Sequence, residues 1–229
     1  MDTITISLAS IPSRVHLLEK VITTLSPQAD SICVYLNNYD DVPAFLLSTR
    51  NVIVERSQDH GDLADNGKFY WTVPSGYHLT VDDDIRYPDD YVERIIERID
   101  FYGKRAVVGL HGSIFTQPIQ SFYNSRIVFG FWEELEKDRK VDMIGTGTMG
   151  YHTSTIIFPL DAFKTTRMAD IWSSVLCLTK GVDIYCIKRE RDWLSILPTV
   201  QGIYETFSKN DAIQTKLVRE LPWAAMRNR

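Results

Sequence analysis

The chain opens on an alternation, Thr3-Ile4-Thr5-Ile6-Ser7-Leu8, whose period of two predicts a β-strand. Apolar positions then change period. Val15, Leu18, Val21, Ile22 and Leu25 follow Pro12 at helical spacing, and Pro12 suits a helix start. "SICVYLN" and "NVIVE" read as the second and third strands, with a short helix around Ala44–Leu47 between them. "GKFYWTV" reads as a helical turn and "GYHLTV" as a fourth strand. "PDDYVERIIERIDFYG" predicts a helix with Pro88 in its first turn, acids early and Gly103 just past its end.

The second half is less regular. "RAVVGLHG" and "IVFGFW" read as strands, and the Gly/Thr-rich run "DMIGTGTMGYHTSTIIF" as a crossing with strand character. "DIWSSVLCLTKG" predicts a helix capped by Gly181, "VDIYCIK" a strand, and "YETFSKNDAIQTKLVREL" a closing helix. Strands alternating with helices predict an α/β fold with a mostly parallel central sheet flanked by helices and a mixed C-terminal half. We expect one domain: a nucleotide-binding half at 1–103, an acceptor and catalytic half at 104–200, and a helical tail at 201–229.

Composition narrows the function. The 229 residues are 44% hydrophobic and 24% charged, ordinary for a globular chain, and the net charge of −5 argues against a nucleic-acid partner. Cys33, Cys177 and Cys186 lack CxxC spacing and read as buried thiols. The first residues carry no basic, long-apolar leader pattern, so a cytoplasmic location is expected. The basic tail "KLVRELPWAAMRNR", with Trp223, offers a peripheral membrane contact or else a solvated helix end.

The chemistry concentrates at Asp82, Asp83 and Asp84, directly after the fourth strand. Adjacent carboxylates repel. In an extended chain Asp82 and Asp84 share a face, and paired carboxylates there suit a hard divalent cation, Mg²⁺ or Mn²⁺. The alternative is a solvated acidic turn. "GDLADNGKF" supplies glycines, Asn66 and Lys68 where a helix is expected to open, with Lys68 facing phosphate and Asp62 and Asp65 free for ribose hydroxyls or a base N–H. It lacks P-loop spacing. Arg14 is a further candidate to face a nucleotide. His111 ends an apolar strand at the same rim, and "GTGT" at Gly145–Thr148 lets a sugar approach backbone. His152 offers a further metal ligand, and Trp132 and Trp193 offer sugar-stacking surfaces, although large aromatics usually serve the core first.

"LTVDDDIRYPDDYV" resembles the DxD segment of GT-A-fold nucleotide-sugar glycosyltransferases. In the same order, "ASIPSR", "DNGKF", "VVGLHGSIF", "GTGT" and "CIKRERDWL" resemble bacterial capsule α-N-acetylglucosaminyltransferases of the heparosan type, with a more distant likeness to exostosin-type α-N-acetylhexosaminyltransferases. The resemblance spans Ile6–Leu194. It implies a GT-A (Rossmann-like) fold, a UDP-sugar donor, Mn²⁺ or Mg²⁺ as cofactor, and transfer of GlcNAc with retention to a saccharide or lipid-linked saccharide acceptor, in surface polysaccharide synthesis and with a partner glycosyltransferase as one possibility. By position it implies Asp82 facing ribose and sharing the metal, Asp84 as metal ligand, Asp65 and Lys68 as a nucleotide-contacting pair, Asp170 beside the reacting sugar, and Arg189 on the diphosphate. Arg14, Asn66, Asp83, His111, Thr146 and Gly147 complete the expected nucleotide-sugar site. Two departures stand out: Arg191 occupies a place where the capsule enzymes tend to have lysine, and Gln117–Asp142 shows little likeness. Two other classes stay open, a sugar-nucleotide hydrolase or nucleotidyltransferase, and a non-catalytic carbohydrate-binding module on a transferase fold.

Overall fold

The computed structural model describes residues 2–73, 75–198 and 211–224. Its frame is an eight-stranded sheet in the order β3-β2-β1-β4-β11-β6-β12-β9. The strands are β1 (Ile4–Ser10), β2 (Ser31–Leu36), β3 (Val52–Arg56), β4 (Tyr77–Val81), β6 (Ala106–Gly109), β9 (Arg139–Lys140), β11 (Thr148–His152) and β12 (Asp183–Cys186). β1, β2, β3 and β4 pair in parallel, as do β6 and β12, whereas β11 runs antiparallel between β4 and β6 and β9 antiparallel to β12. The expected α/β class with a largely parallel sheet is therefore present. A small antiparallel sheet of β7 (Gly112–Phe115), β8 (Arg126–Phe129) and β10 (Met143–Ile144) and a pairing of β5 (Ile85–Arg86) with β13 (Ser195–Ile196) make up the mixed part.

Both faces of the sheet are covered, because its strands bury successive residues on opposite sides. On one face Ile6, Leu8, Val34, Leu79, Val81 and Val108 pack against helices α1 (Val15–Leu25) and α4 (Tyr91–Phe101). Gly150 lets α4 settle close, since a Cβ there would stand 2.4 Å from Ile95 Cγ2. On the other face Val107, Met149, Tyr151 and Ile184 pack against Phe69 and helix α5 (Ala169–Lys180). Two short helices, α2 (Ala44–Ser48) and α3 (Ser57–His60), flank β3, and Ala212–Arg219 forms the last helix, α6. The part of the predicted closing helix at 204–210 lies outside the described residues.

The sequence pattern needs two corrections. "GDLADNGKF" does not open an α-helix; Ala64–Phe69 is itself a six-residue 3₁₀ turn that ends at Tyr70, with the Phe69 side chain buried in the core. Trp223 is not exposed for a membrane. It is fully buried beside Phe115, ring centroids 5.0 Å apart, and its Nε1 donates to Val218 O at 2.9 Å. Among the described residues no helix is long and apolar enough to cross a membrane.

Candidate active site

Parallel strands align their carboxyl ends on one edge, and open α/β sheets hold ligands beyond that edge, where the strand order reverses. Here the reversal falls between β1 and β4. Ser10, Asn37, Asp82, His111 and Ile187 come at or just after the ends of β1, β2, β4, β6 and β12. β11 runs the other way and pairs Thr148 with Val81, so the loop Gly145–Gly147 arrives at the same edge. Every candidate of the sequence analysis that follows a strand is thus gathered on one rim, except His152. It pairs with Tyr77 at the opposite end of β11, 3.3 Å from Asp2, too far from the carboxylates to share a metal with them.

The three aspartates do not alternate as an extended strand. The chain leaves the sheet at Val81 and turns, so each carboxylate finds its own partner. Asp83, 3% exposed, accepts from Ser10 Oγ at 2.6 Å and Arg14 Nη1 at 2.9 Å. The same Arg14 nitrogen stands 3.0 Å from Asp84 Oδ2. Asp82 pairs with Lys68 Nζ. Two cations, Arg14 and Lys68, thus answer the repulsion within the chain.

The balance is uneven. Burial and then the charge of Asp82 push the Asp84 carboxyl up to about 6, against the pull of Arg14. Burial also raises Asp83 despite Arg14. Lys68 is buried, which disfavours its charge, yet Asp82, Asp170 and Asp65 outweigh that and hold its ammonium above the ordinary lysine value.

Thr146 links Lys68 to Asp170. Its hydroxyl lies 3.3 Å from Lys68 Nζ, and both its N–H and its hydroxyl donate to Asp170 Oδ1 at 2.7 Å. Gly147 lies against Asp82: a Cβ there would stand 2.0 Å from Asp82 Oδ2. Tyr87, absent from the sequence candidates, locks this corner; its hydroxyl accepts from Asp82 N at 2.8 Å and donates to Gly147 O at 2.6 Å. Only its place a few residues beyond the aspartates marks it in the sequence.

His111 faces the same group. Burial lowers its pKa, partly offset by the charge of Asp170, and its Nδ1 has no partner among the described residues. Trp132, 38% exposed, lies beside it with ring centroids 5.8 Å apart. Trp193 is elsewhere, held by Asp90 at 3.0 Å and by the Arg94 guanidinium 3.9 Å over its ring.

Three candidates sit differently from expectation. Asp65 turns both oxygens to backbone, accepting from Arg167 N and from Ala169 N at 2.9 Å. Asn66 is buried and donates to Thr165 O at 3.2 Å, while its Oδ1 has no partner among the described residues. Arg189, 3% exposed, donates from its terminal nitrogens to Ile187 O at 3.0 Å, Gly130 O and Cys186 Sγ and so braces the β8–β12 loops, while its buried Nε has no partner among the described residues. Arg191 is exposed.

A divalent cation suits the hard oxygen donors of Asp82 and Asp84, whose mutual repulsion is what lifts Asp84 beyond the effect of burial. Among the described residues no group of three or more His, Cys, Asp or Glu is arranged to hold a metal. Two carboxylates leave the remaining positions to water or phosphate oxygens, as is usual for Mg²⁺.

No protein-family model matches the chain, and no curated protein matches it. Among solved structures it is similar to CMP:2-keto-3-deoxy-manno-octonic acid synthetase complexed with CTP, with a TM-score of 0.51 and 10% identity over 93% of this chain and 98% of that one. At that identity the likeness is one of fold: a Rossmann-like α/β sheet flanked by helices.

Proposed function

We propose that this chain is an enzyme acting on a nucleotide-activated sugar, and specifically a GT-A glycosyltransferase that moves GlcNAc, with retention, from a UDP-sugar to a saccharide acceptor. The observation that carries the reading is the contact chain Asp82–Lys68–Thr146–Asp170 on the carboxyl rim of the sheet, beside the switch between β1 and β4. It sets a buried cation between a carboxylate suited to a metal and one suited to a sugar.

The reaction breaks the bond between sugar C1 and a diphosphate oxygen. The electron pair leaves with UDP, the acceptor oxygen bonds to C1, and the hydroxyl proton passes to the departing phosphate oxygen. Asp82 and Asp84 would hold the Mn²⁺ or Mg²⁺, which supplies charge neutralisation at the diphosphate when bound. Lys68, kept protonated by its carboxylates, adds a fixed positive charge where the leaving group gathers negative charge; such preorganised electrostatics is usually the largest catalytic contribution. Asp170, oriented by Thr146, steadies the positive charge that develops on the sugar. His111 and Trp132 form a polar and aromatic wall suited to a sugar ring.

A second reading, a sugar nucleotidyltransferase, is favoured by the fold likeness to a synthetase complexed with CTP. One assay separates the two. We expect UDP release from UDP-GlcNAc with Mn²⁺ to depend on a saccharide acceptor. Release without acceptor would make the chain a hydrolase. Pyrophosphate release from CTP or UTP with a free sugar would make it a nucleotidyltransferase. No turnover of any of these would leave a non-catalytic module. Asp84→Ala should abolish metal-dependent UDP binding in calorimetry while the circular dichroism spectrum stays unchanged.

A further inference from the structure

The helix that carries Asp170 has no cap of its own. Its N-cap residue, Met168, makes no side-chain hydrogen bond to the helix start. The donors there are met from far along the chain: Asp65 Oδ2 accepts from Ala169 N at 2.9 Å, and Asp65 Oδ1 accepts from Arg167 N. One residue on, Asn66 Nδ2 donates to Thr165 O at 3.2 Å. Thr165 in turn accepts from Trp172 Nε1 at 2.9 Å, so the whole entry to α5 is tied down.

The two residues belong to the same 3₁₀ turn as Lys68. The contacts therefore close into a ring, running from that turn through Asp65 to the start of α5, from Asp170 to Thr146 Oγ1 at 2.7 Å, and from Thr146 back to Lys68 at 3.3 Å. Half-burying a carboxylate is costly, and accepting the amides of Arg167 and Ala169 at the approach to α5 offsets part of that cost. Each Asp65 oxygen already accepts one backbone N–H at this entry, so the carboxylate is oriented by α5 rather than pointed freely into the rim.

We propose that Asp65 is a positioning residue: by holding the start of α5 against the 3₁₀ turn it fixes the Asp170 carboxylate at its working distance from Lys68. Asp65 then acts on the reaction through Asp170 and does not touch the nucleotide. This rests on the transferase reading above for its kinetic consequence, and on the ring of contacts for its structural one.

The test uses the full chain carrying Asp65→Asn, which keeps the volume but presents an N–H₂ to one of the two amides. Hydrogen exchange should speed up by about a hundredfold at Arg167 and Ala169 and stay unchanged in β1–β4. The kcat for acceptor-dependent UDP release should fall by about ten- to a hundredfold, whereas the calorimetric Kd for UDP with Mn²⁺ stays within about twofold of the parent. In an Asp170→Asn background the same change should have no further effect on kcat. A weakened UDP affinity with kcat intact would assign Asp65 to the nucleotide and overturn the proposal, as would unchanged exchange and kcat. If Asp65→Asn does not fold, Asn66→Ala removes the neighbouring tie; it should loosen exchange at Thr165–Ala169 and lower kcat several-fold, and no change in either overturns the proposal. Absence of turnover in the unmodified chain would overturn the transferase reading instead, a result visible before any variant is made.

Discussion

At the scale of single residues the site is a set of forced choices. Gly147 has no room for a side chain, because a Cβ would fall 2.0 Å from Asp82 Oδ2 and 2.7 Å from its Cγ. The obstructing atoms end the Asp82 side chain, which is 37% exposed but ion-paired to the buried Lys68, so moving them aside breaks that pair. Gly147→Ala should therefore strip the buried Lys68 of its nearest carboxylate, cost the fold about 3 kcal/mol, and weaken calorimetric UDP binding with Mn²⁺ about tenfold or more. Asp84 makes a second choice, between charge and burial. Its carboxyl, lifted from 3.8 to about 6, keeps a proton in the native state that the unfolded chain has already lost. Stability from this group is therefore full below about 4 and falls as pH rises through 6, by up to about 3 kcal/mol. Asp84→Asn should raise the melting temperature at pH 8 by several degrees and leave it unchanged at pH 4, measured by calorimetry without metal or nucleotide. A raised melting temperature at both pH values would place the cost elsewhere.

Elements add what single residues lack. β4 turns Leu79 and Val81 to one face and His78 and Thr80 to the other. His78 lies fully inside the sheet layer, Nε2 2.7 Å from Ser7 Oγ and Nδ1 2.7 Å from Tyr151 OH, and burial drives its pKa to about 3. It is neutral in both states above about 6.5, so its contribution is intact there. As pH falls, the unfolded chain gains a proton that the native strand refuses, and up to about 5 kcal/mol is lost by pH 3. Because Asp84 acts in the opposite direction in both proteins, the loss is read by difference: between pH 7 and pH 4, urea unfolding should show acid costing the parent about 3 kcal/mol more than His78→Gln. A pH dependence equal in both proteins would refute the assignment. The network crosses β1, β4 and β11, so it fastens the antiparallel strand that delivers the Gly145–Gly147 loop.

For the whole molecule, two layers meet one rim. A ligand bound there engages β1, β4, β11 and the 3₁₀ turn together, so it should stabilise the chain globally. UDP with Mn²⁺ at about a hundred times its Kd should add about 2.7 kcal/mol, or roughly 5–10 °C in melting temperature. Asp84→Ala should abolish that shift. The last helix belongs to the same body, because Trp223 is fully buried and Arg219 Nε donates to Ile119 O at 3.1 Å. Trp223→Ala should cost about 3–5 kcal/mol in urea unfolding.

What the sequence determined on its own was local: where apolar positions repeat with period two or 3.6, which ends carry Pro12, Gly103 or Gly181, and that three aspartates follow a strand. Those signals depend on neighbours in the chain, which is why β1, β2, β4, α1, α4 and α5 fall where the pattern puts them. The meeting of Asp82 with Lys68, or of Asp65 with Ala169, joins residues distant in sequence and leaves no period to read. The turn at Val81 separates three carboxylates that an extended strand would have alternated, and packing buries a Trp223 that the basic tail offered either to a membrane surface or to solvent. Tertiary structure decided these because burial forces every charge to find a partner, and which partner stands within reach is set by how strands order in the sheet.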